Sequence, residues 1–398
     1  MKYTNLIIIA LLLIAQIQFT QQSDIVQCLD KDGSPVDWWV MLKMPKSYNS
    51  GKQYYYFDVD SSDLTSYDDI GSANSPLFRT LAQIEDYGSD NNFSVLWNDQ
   101  PDGINVSSTY AHSKGIIGGN SADNGFIINH STPKFPKLNT SSKKIILEMS
   151  SDQQIYAQHY FCMSMDFGVL NKYSANMQIN RPYVYHSHIP DSFTKQLNEL
   201  VKLSENKQKV EDYTTSTLKT LDGQNIVQFA KSGKFNSDLY FDIVAPSYGK
   251  SFYFETWGRS LMSATCGTDI DVVSNLAIKF SDTVSYSYTN DHSKYGISVT
   301  GYTVCFGDIN RMTSQFKRGG GTNCFAQQKL HNILLKAFVE QQGCEKFVLK
   351  NGVSDQDLLN NQNSNTVYNE GQKKSQGLQG RFNSILNNIK SFFQDIQE

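Results

Sequence analysis

A mixed α/β fold made of two similar halves is what the sequence predicts, and three observations carry that reading. Trp38–Leu42, Tyr54–Phe57 and Ile145–Leu147 are short runs of strand-forming residues bounded by Gly, Pro, Asn and Ser. They are apolar without alternation, the pattern of strands buried on both faces. Helical spacing appears twice: in Phe193, Leu197, Leu200, Val201 and Leu203, with Asp191 or Ser192 as cap, and from about Ala326 to Gln342, where Leu330, Ile333, Leu334, Ala337 and Phe338 recur before Gly343. The third observation is a repeat, His112-Ser113-Lys114 and His292-Ser293-Lys294.

The chain is long enough for two such halves: 398 residues, of which 39% are hydrophobic and 12% aromatic, a composition that excludes overall disorder. The formal charge is −4 with the histidines neutral, so the protein is no constitutively basic nucleic-acid binder. Protonating all seven histidines takes it to +3, a change of sign on acidification that precedes any carboxylate titration.

After Lys2, the apolar run Leu6–Ala15 and the polar Gln16–Gln22 region read as a secretory signal peptide over about residues 1–20, cleaved between Ala15 and Ser23. The run is too short to span a bilayer, and no later segment is apolar enough. Six cysteines, Cys28, Cys162, Cys266, Cys305, Cys324 and Cys344, show no zinc spacing and in an oxidising lumen form up to three disulfides of open connectivity. N-x-S/T sequons begin at Asn92, Asn105, Asn129 and Asn139. The expected organisation is an N-terminal half over 21–210, a C-terminal half over 211–350, an Asn/Gln-rich linker over 351–377 and an amphipathic helix over 378–398, which docks on the body or on another chain.

The repeated tripeptide is where the chemistry concentrates. Side chains at i and i+2 share one face of a strand, so each H-x-K aims an imidazole and an ammonium at one point. Two such units facing each other surround one anion with two imidazoles and two ammoniums. That set suffices for metal-free phosphodiester cleavage: one neutral imidazole attacks phosphorus, the other donates a proton to the leaving oxygen, and the lysines steady the equatorial oxygens. Eighteen residues after each histidine stands another polar residue, His130 and Asn310, each at the end of an expected second strand.

With these motifs the chain resembles deoxyribonuclease II, the acid endonuclease family, over most of residues 28–348. The likeness rests on Cys28, Pro35-Val-Asp37-Trp38, Asn98-Asp-Gln-Pro101, His112-Ser-Lys114-Gly, Asn129-His130-Ser131, Pro133, Phe135-Pro136, Phe229-Ala-Lys231, Asp238-Leu-Tyr240, Asp291-His-Ser-Lys294, Gly307-Asp308, Asn310-Arg311, Gly319-Gly-Gly-Thr322 and Cys324. That family in turn resembles the phospholipase D superfamily, in which two H-x-K half-sites make one active centre between two similar α/β halves. The resemblance implies an acid endodeoxyribonuclease that cuts double-stranded DNA to 3′-phosphate and 5′-hydroxyl ends without metal or cofactor, in a lysosome-like compartment or outside the cell. It assigns His112, Lys114, His292 and Lys294 to catalysis, and His130 and Asn310 to support of the phosphate. It pairs Cys28 with Cys162, Cys266 with Cys344, and Cys305 with Cys324, and leaves Asn92, Asn105 and Asn139 for glycans, since one on Asn129 would crowd the site. The longer superfamily motif has an Asp where Gly119 and Val299 stand here. The competing class is a secreted, non-catalytic relative that binds a partner or polyanion; a lipid phosphodiesterase on the same half-sites is a third.

The remaining histidines read as structural. His186 and His188 lack a third metal ligand and are expected on a loop or surface, His159 as a satisfied core group, and His331 facing solvent beside the apolar side of its helix. Gly319-Gly320-Gly321 lacks the Lys-Ser/Thr of a phosphate loop and is expected as a turn.

Overall fold

The structure, a computed structural model, describes residues 25–120 and 123–344. The expected signal peptide, linker and C-terminal helix lie outside the described residues. Eight strands form the first sheet: β1 (Trp38–Lys43), β2 (Tyr54–Asp58), β3 (Thr65–Tyr67), β4 (Asn92–Asn98), β5 (Lys114–Asn120), β6 (Asn124–His130), β9 (Gln158–Asp166) and β10 (Val184–His188), in the order β10-β4-β5-β6-β9-β1-β2-β3. A small hairpin, β7 (Lys137–Asn139) and β8 (Lys144–Ile146), stands apart. The second sheet holds β11 (Tyr213–Lys219), β12 (Asn225–Lys231), β13 (Phe252–Thr256), β14 (Thr265–Cys266), β15 (Asp271–Lys279), β17 (Lys294–Ser298), β18 (Thr303–Gly307) and β19 (Gly320–Ala326), in the order β11-β12-β19-β18-β17-β13-β15-β14. Both β16 (Ser285–Ser287) and β20 (Phe338–Gln341) pair with β15.

The two sheets repeat one motif. In the first, β4, β5, β6 and β9 are successive antiparallel neighbours and lead into the helix Phe167–Asn180. In the second, β13, β17, β18 and β19 repeat that order and lead into the helix Gln328–Ala337. The H-x-K tripeptides enter β5 and β17, the corresponding strands, so that each lysine is the first residue of its strand.

Most strands bury both faces. From β1 and β9, Trp38, Val40, Phe161 and Met163 point into a core shared with Tyr295, Ile297, Phe306 and Phe325 of the second sheet, where Phe161 stacks on Phe325 at 5.1 Å. Trp39 and Met41 point the other way, onto the helix Pro76–Ala82, while Phe252, Phe254, Cys305 and Cys324 form a third cluster outside the second sheet. Removing such side chains from water stabilises the fold by about 1.5–3 kcal/mol each. Three disulfides, Cys28–Cys162, Cys266–Cys344 and Cys305–Cys324, complete the scaffold.

Several local expectations are corrected. Ile145–Leu147 is not a doubly buried strand: β8 covers Lys144–Ile146 in the small hairpin, with only Ile145 fully buried. The helical stretch after Pro190 breaks into Asp191–Thr194 and Asn198–Ser204 with no side-chain cap, and the later helix ends at Ala337, where the chain turns into β20. His331 is buried, its Nε2–H donating to the Ser298 carbonyl at 2.7 Å, because its helix packs over the end of β17. The triple glycine is no turn: Gly320 and Gly321 open β19. The glycines admit close backbone approach, since a Cβ on Gly319 would lie 1.8 Å from the Asn180 carbonyl oxygen and one on Gly321 2.2 Å from that of Phe229.

That crowding is testable by thermal unfolding. Gly319→Ala should cost more than about 2 kcal/mol, whereas Gly343→Ala, whose Cβ would meet nothing within 4 Å, should stay within about 0.5 kcal/mol of wild type. Equal stability of the two variants would contradict the packing described.

Candidate functional site

The entries to β5 and β17 meet at the seam between the sheets, and each is held by the opposite half. The His112 N–H donates to the Gly319 carbonyl at 3.0 Å, and the His112 Nδ1–H donates to the Asp308 carbonyl at 2.8 Å. That second bond leaves Nε2 as the free ring nitrogen. Reciprocally, the His292 N–H donates to the Ala157 carbonyl and the Ala157 N–H to that of Asn290, both at 2.8 Å. The His292 ring stacks on Tyr156 at 3.8 Å between centroids and lies 4.9 Å from Trp257, and its buried Nε2 has no hydrogen-bond partner.

The cations are equally enclosed. Lys114 Nζ is ion-paired with Asp99, whose other oxygen accepts from Arg318 Nη2 at 3.0 Å and lies 3.9 Å from His112 Nε2. Arg318 also donates to the Tyr110 and Ala111 carbonyls, gripping the segment that leads into His112. Lys294 Nζ donates to the His292 carbonyl. The two half-sites differ at one decisive position: Asn98 pairs with Lys114 and Thr256 with Lys294, so the next residues, Asp99 and Trp257, occupy equivalent places. One half-site therefore has a carboxylate where the other has an indole.

Burial dominates the titration of the site. Desolvation, reinforced by the lysines, holds both His112 and His292 well below the ordinary imidazole value, with Asp99 opposing it only at His112. Burial, then the neighbouring Lys114 charge, lowers Lys294 to about 7. Burial would raise Asp99, but Lys114, His112 and Arg318 outweigh it and keep the carboxyl ionised. Each half-site's histidine feels the other half-site's lysine, which places the four H-x-K groups in one field.

The two supporting residues are less alike than their spacing suggests. Gly115 lies opposite Asn129, and Tyr295 opposite Phe306. His130 therefore corresponds to Gly307, and Asn310 lies three residues further on; the shared spacing of eighteen is not a shared register. His130 packs between Phe135 and Tyr160, with its Nδ1 accepting the Thr132 N–H at 3.2 Å. Asn310 is buried with an unpartnered Oδ1.

Asp99, Arg318 and Asp308 escaped the sequence reading of the site. Asp99 stands beside Asn98 in the Asn98–Pro101 motif, the available signal, but nothing in linear spacing ties it to His112. His159 is fully buried with both ring nitrogens bonded, as expected. His186 and His188 lie half-buried on edge strand β10, and not on a loop; they bond Ser94 and the Ser89 carbonyl. Among the described residues, Cys266, Asp271 and Cys344 could be grouped around a metal ion, but both sulfurs are joined in a disulfide. Asn105 and Asn139 are exposed and Asn92 is half-buried, while the buried Asn129 amide is bonded to Asp308.

Beneath His292 lie two more buried carboxyls, Glu255 and Asp291, whose values burial pushes up. A carboxyl raised in the folded state contributes stability below its unfolded value near 4 and loses it as pH rises through the folded value. Asp291→Asn should therefore gain on wild type by roughly 1–3 kcal/mol between pH 4 and pH 7.5. Denaturant unfolding at the two pH values checks this, and a constant difference would contradict it.

The family model described as Deoxyribonuclease II matches residues 27–344. Cell death-related nuclease 6 of Caenorhabditis elegans is 30% identical over 347 residues, covering 80% of this chain and 90% of that protein. Deoxyribonuclease-2 of the same organism is 30% identical over 344 residues, covering 76% and 90% respectively. Deoxyribonuclease-2-alpha of Mus musculus is 28% identical over 319 residues, covering 76% and 89%. Among solved structures, a yeast tyrosyl-DNA phosphodiesterase aligns at a TM-score of 0.33 and 10% identity, over 61% of this chain and 86% of that one.

Proposed function

The chain belongs to the deoxyribonuclease II family, and from that premise we propose that it is an endodeoxyribonuclease acting on double-stranded DNA at acid pH, without metal or cofactor. The observation that supports this most is the meeting of both H-x-K pairs at one seam, each imidazole supported from the opposite half. The halves then act as two phospholipase D-like units with one centre between them.

In the proposed reaction one histidine attacks phosphorus through a ring nitrogen while the other, protonated, gives its proton to the departing 5′-oxygen. The P–O5′ bond breaks and a P–N bond forms. Water, deprotonated by the second histidine, then attacks the phosphohistidine, releasing a 3′-phosphate and the free imidazole. Lys114 and Lys294 face the charge on the phosphate, His130 at the end of β6 and Asn310 in the loop after β18 support it, and Asp99 fixes Lys114. The three disulfides suit an oxidising route, and no helix among the described residues is long and apolar enough to cross a membrane. Secretion, or delivery to a lysosome-like compartment, with glycans on Asn92, Asn105 and Asn139, completes the reading.

The acid optimum follows from burial. Both histidines bind protons weakly, so the donor's charged fraction falls about tenfold per unit of rising pH, while Lys294 carries its charge below about 7. The bound phosphate opposes that depression, and the rate should peak near about pH 5 with little activity at neutrality. A rate profile on plasmid DNA from pH 4 to 8 in EDTA tests both points. A maximum above pH 7, or an absolute need for added divalent ion, would sink the reading.

His112→Ala and His292→Ala should each lower kcat by at least about a hundredfold with the fold intact, and Lys114→Ala or Lys294→Ala should be severely impaired. Mass spectrometry of enzyme denatured in alkali, where the histidine P–N bond survives, would show which histidine carries the DNA 3′-phosphoryl adduct. A histidine variant that keeps more than a tenth of wild-type activity excludes the two-histidine mechanism, and a wild-type protein that binds DNA without cleaving it favours a binding protein.

A further inference from the structure

A chain of buried polar groups crosses the seam behind the imidazoles, and the three side chains that link it, those of His159, Asn129 and Asp308, lie outside both H-x-K motifs. The Lys294 N–H donates to His159 Nδ1 at 3.1 Å, His159 Nε2–H donates to Asn129 Oδ1 at 3.3 Å, and Asn129 Nδ2 donates to Asp308 Oδ1 at 2.7 Å. The Asp308 carboxyl, which burial pushes up to about 7 against these bonds, also accepts from the Ser113 hydroxyl and the Lys114 N–H. Its backbone carbonyl is the group that receives His112 Nδ1–H. The His159, Asn129 and Asp308 side chains belong to residues at most 6% exposed. Each half-site lysine therefore has its main chain held by a side chain from the opposite half, Lys294 by His159 and Lys114 by Asp308, and Asn129 joins the two holders.

We infer that His159, Asn129 and Asp308 are positioning residues that fix the distance and orientation between the two half-sites, so that the His112 and His292 rings address one phosphorus. This rests on the proposed reaction and deepens it. The donor and acceptor sequence allows one arrangement only. His159 must carry its proton on Nε2, because Nδ1 is occupied by a main-chain donor. Asn129 must present its oxygen to His159 and its amide to Asp308, whose Oδ1 accepts it. Nothing in the chain can slide by one partner without leaving a buried polar group unsatisfied. Packing alone would hold the sheets together but would tolerate small shifts along the seam. In-line displacement does not, since a misplacement of about 1 Å costs on the order of a hundredfold in rate.

An exchange of the acid and the amide separates positioning from packing. Asn129→Asp sets two carboxyls face to face, and Asp308→Asn turns an amide N–H toward the Ser113 and Lys114 donors. The double variant restores the link across the seam, because the amide introduced at position 308 can donate to the carboxylate introduced at position 129 while its carbonyl accepts Lys114 N–H. The expected result on plasmid DNA is a loss of tenfold or more in kcat for each single variant, with KM within about threefold of wild type. In the double variant, kcat should return to within about threefold of wild type. Singles with wild-type kcat, or a folded double variant no better than either single, would overturn the inference.

A measurement on the unaltered protein keeps the question decidable if the singles do not fold. Nitrogen-15 NMR of the imidazoles should show His159 as the Nε2–H tautomer and His112 as the Nδ1–H tautomer at neutral pH, with slow exchange of the Lys114 and Lys294 amides. His159 protonated on Nδ1, or rapid exchange at either lysine, would overturn the relay. If wild type fails to cleave DNA while the tautomers and amide protection are as stated, the proposed activity fails and the positioning chain stands.

Discussion

The backbone around each imidazole is completed by the other half of the molecule, and this reciprocal support is the constraint on which the site depends. An H-x-K tripeptide at the entry to a strand has unpaired main-chain groups on the side away from its own sheet. At the seam these groups are buried, and a buried N–H or C=O without a partner is costly. Gly319 and Asp308 satisfy His112, and Ala157 satisfies His292. Neither half-site can keep its geometry alone. The triple glycine becomes intelligible on this footing: the chain at Gly319 passes so close to Asn180 that only a residue without Cβ can bring its carbonyl to His112.

Equivalent motifs do not make equivalent electrostatics. Asp99 and Trp257 stand at matching strand positions, and the substitution of an indole for a carboxylate leaves Lys294 with main-chain contacts where Lys114 has a buried ion pair. Arg318 supplies the second charge that keeps Asp99 ionised so far from water. The network is strongly interdependent, since removing one member would leave another charge buried and unpaired. Duplication thus supplies two imidazoles and two ammoniums, while the differences between the copies give each imidazole its own environment.

The sequence made part of this legible. Runs such as Trp38–Leu42 showed their strand character because strands buried on both faces need no alternation, and the repeated tripeptide announced both half-sites. The helix Phe167–Asn180 was silent for the opposite reason: it buries Phe167, Leu170, Tyr173, Asn176, Met177, Gln178 and Ile179 around its circumference, so no apolar stripe stands out. Asp99, Asp308 and Arg318 were invisible as site residues because their partners are distant in sequence, and linear spacing reports neighbours along one element only. The equal interval to His130 and Asn310 misled for a related reason. The first hairpin has seven-residue strands and the second five-residue strands, so one interval reaches different rungs of the two ladders.

Burial of the site also changes what binding an anion means. In the free protein, desolvation disfavours charge on both imidazoles and on Lys294, so the site is less cationic than its composition implies. On the proposed reading, a phosphodiester brings the negative charge that makes protonation favourable again, and proton uptake and substrate binding become one linked equilibrium. An exposed cluster of the same residues would be charged at neutral pH and would attract polyanions indiscriminately. Enclosure at the seam gives up that affinity near neutrality and ties the proton donor's charge to the presence of the group it acts on. On that reading the acid dependence is a property of where the half-sites meet, and it follows from the same contacts that hold the two imidazoles in place.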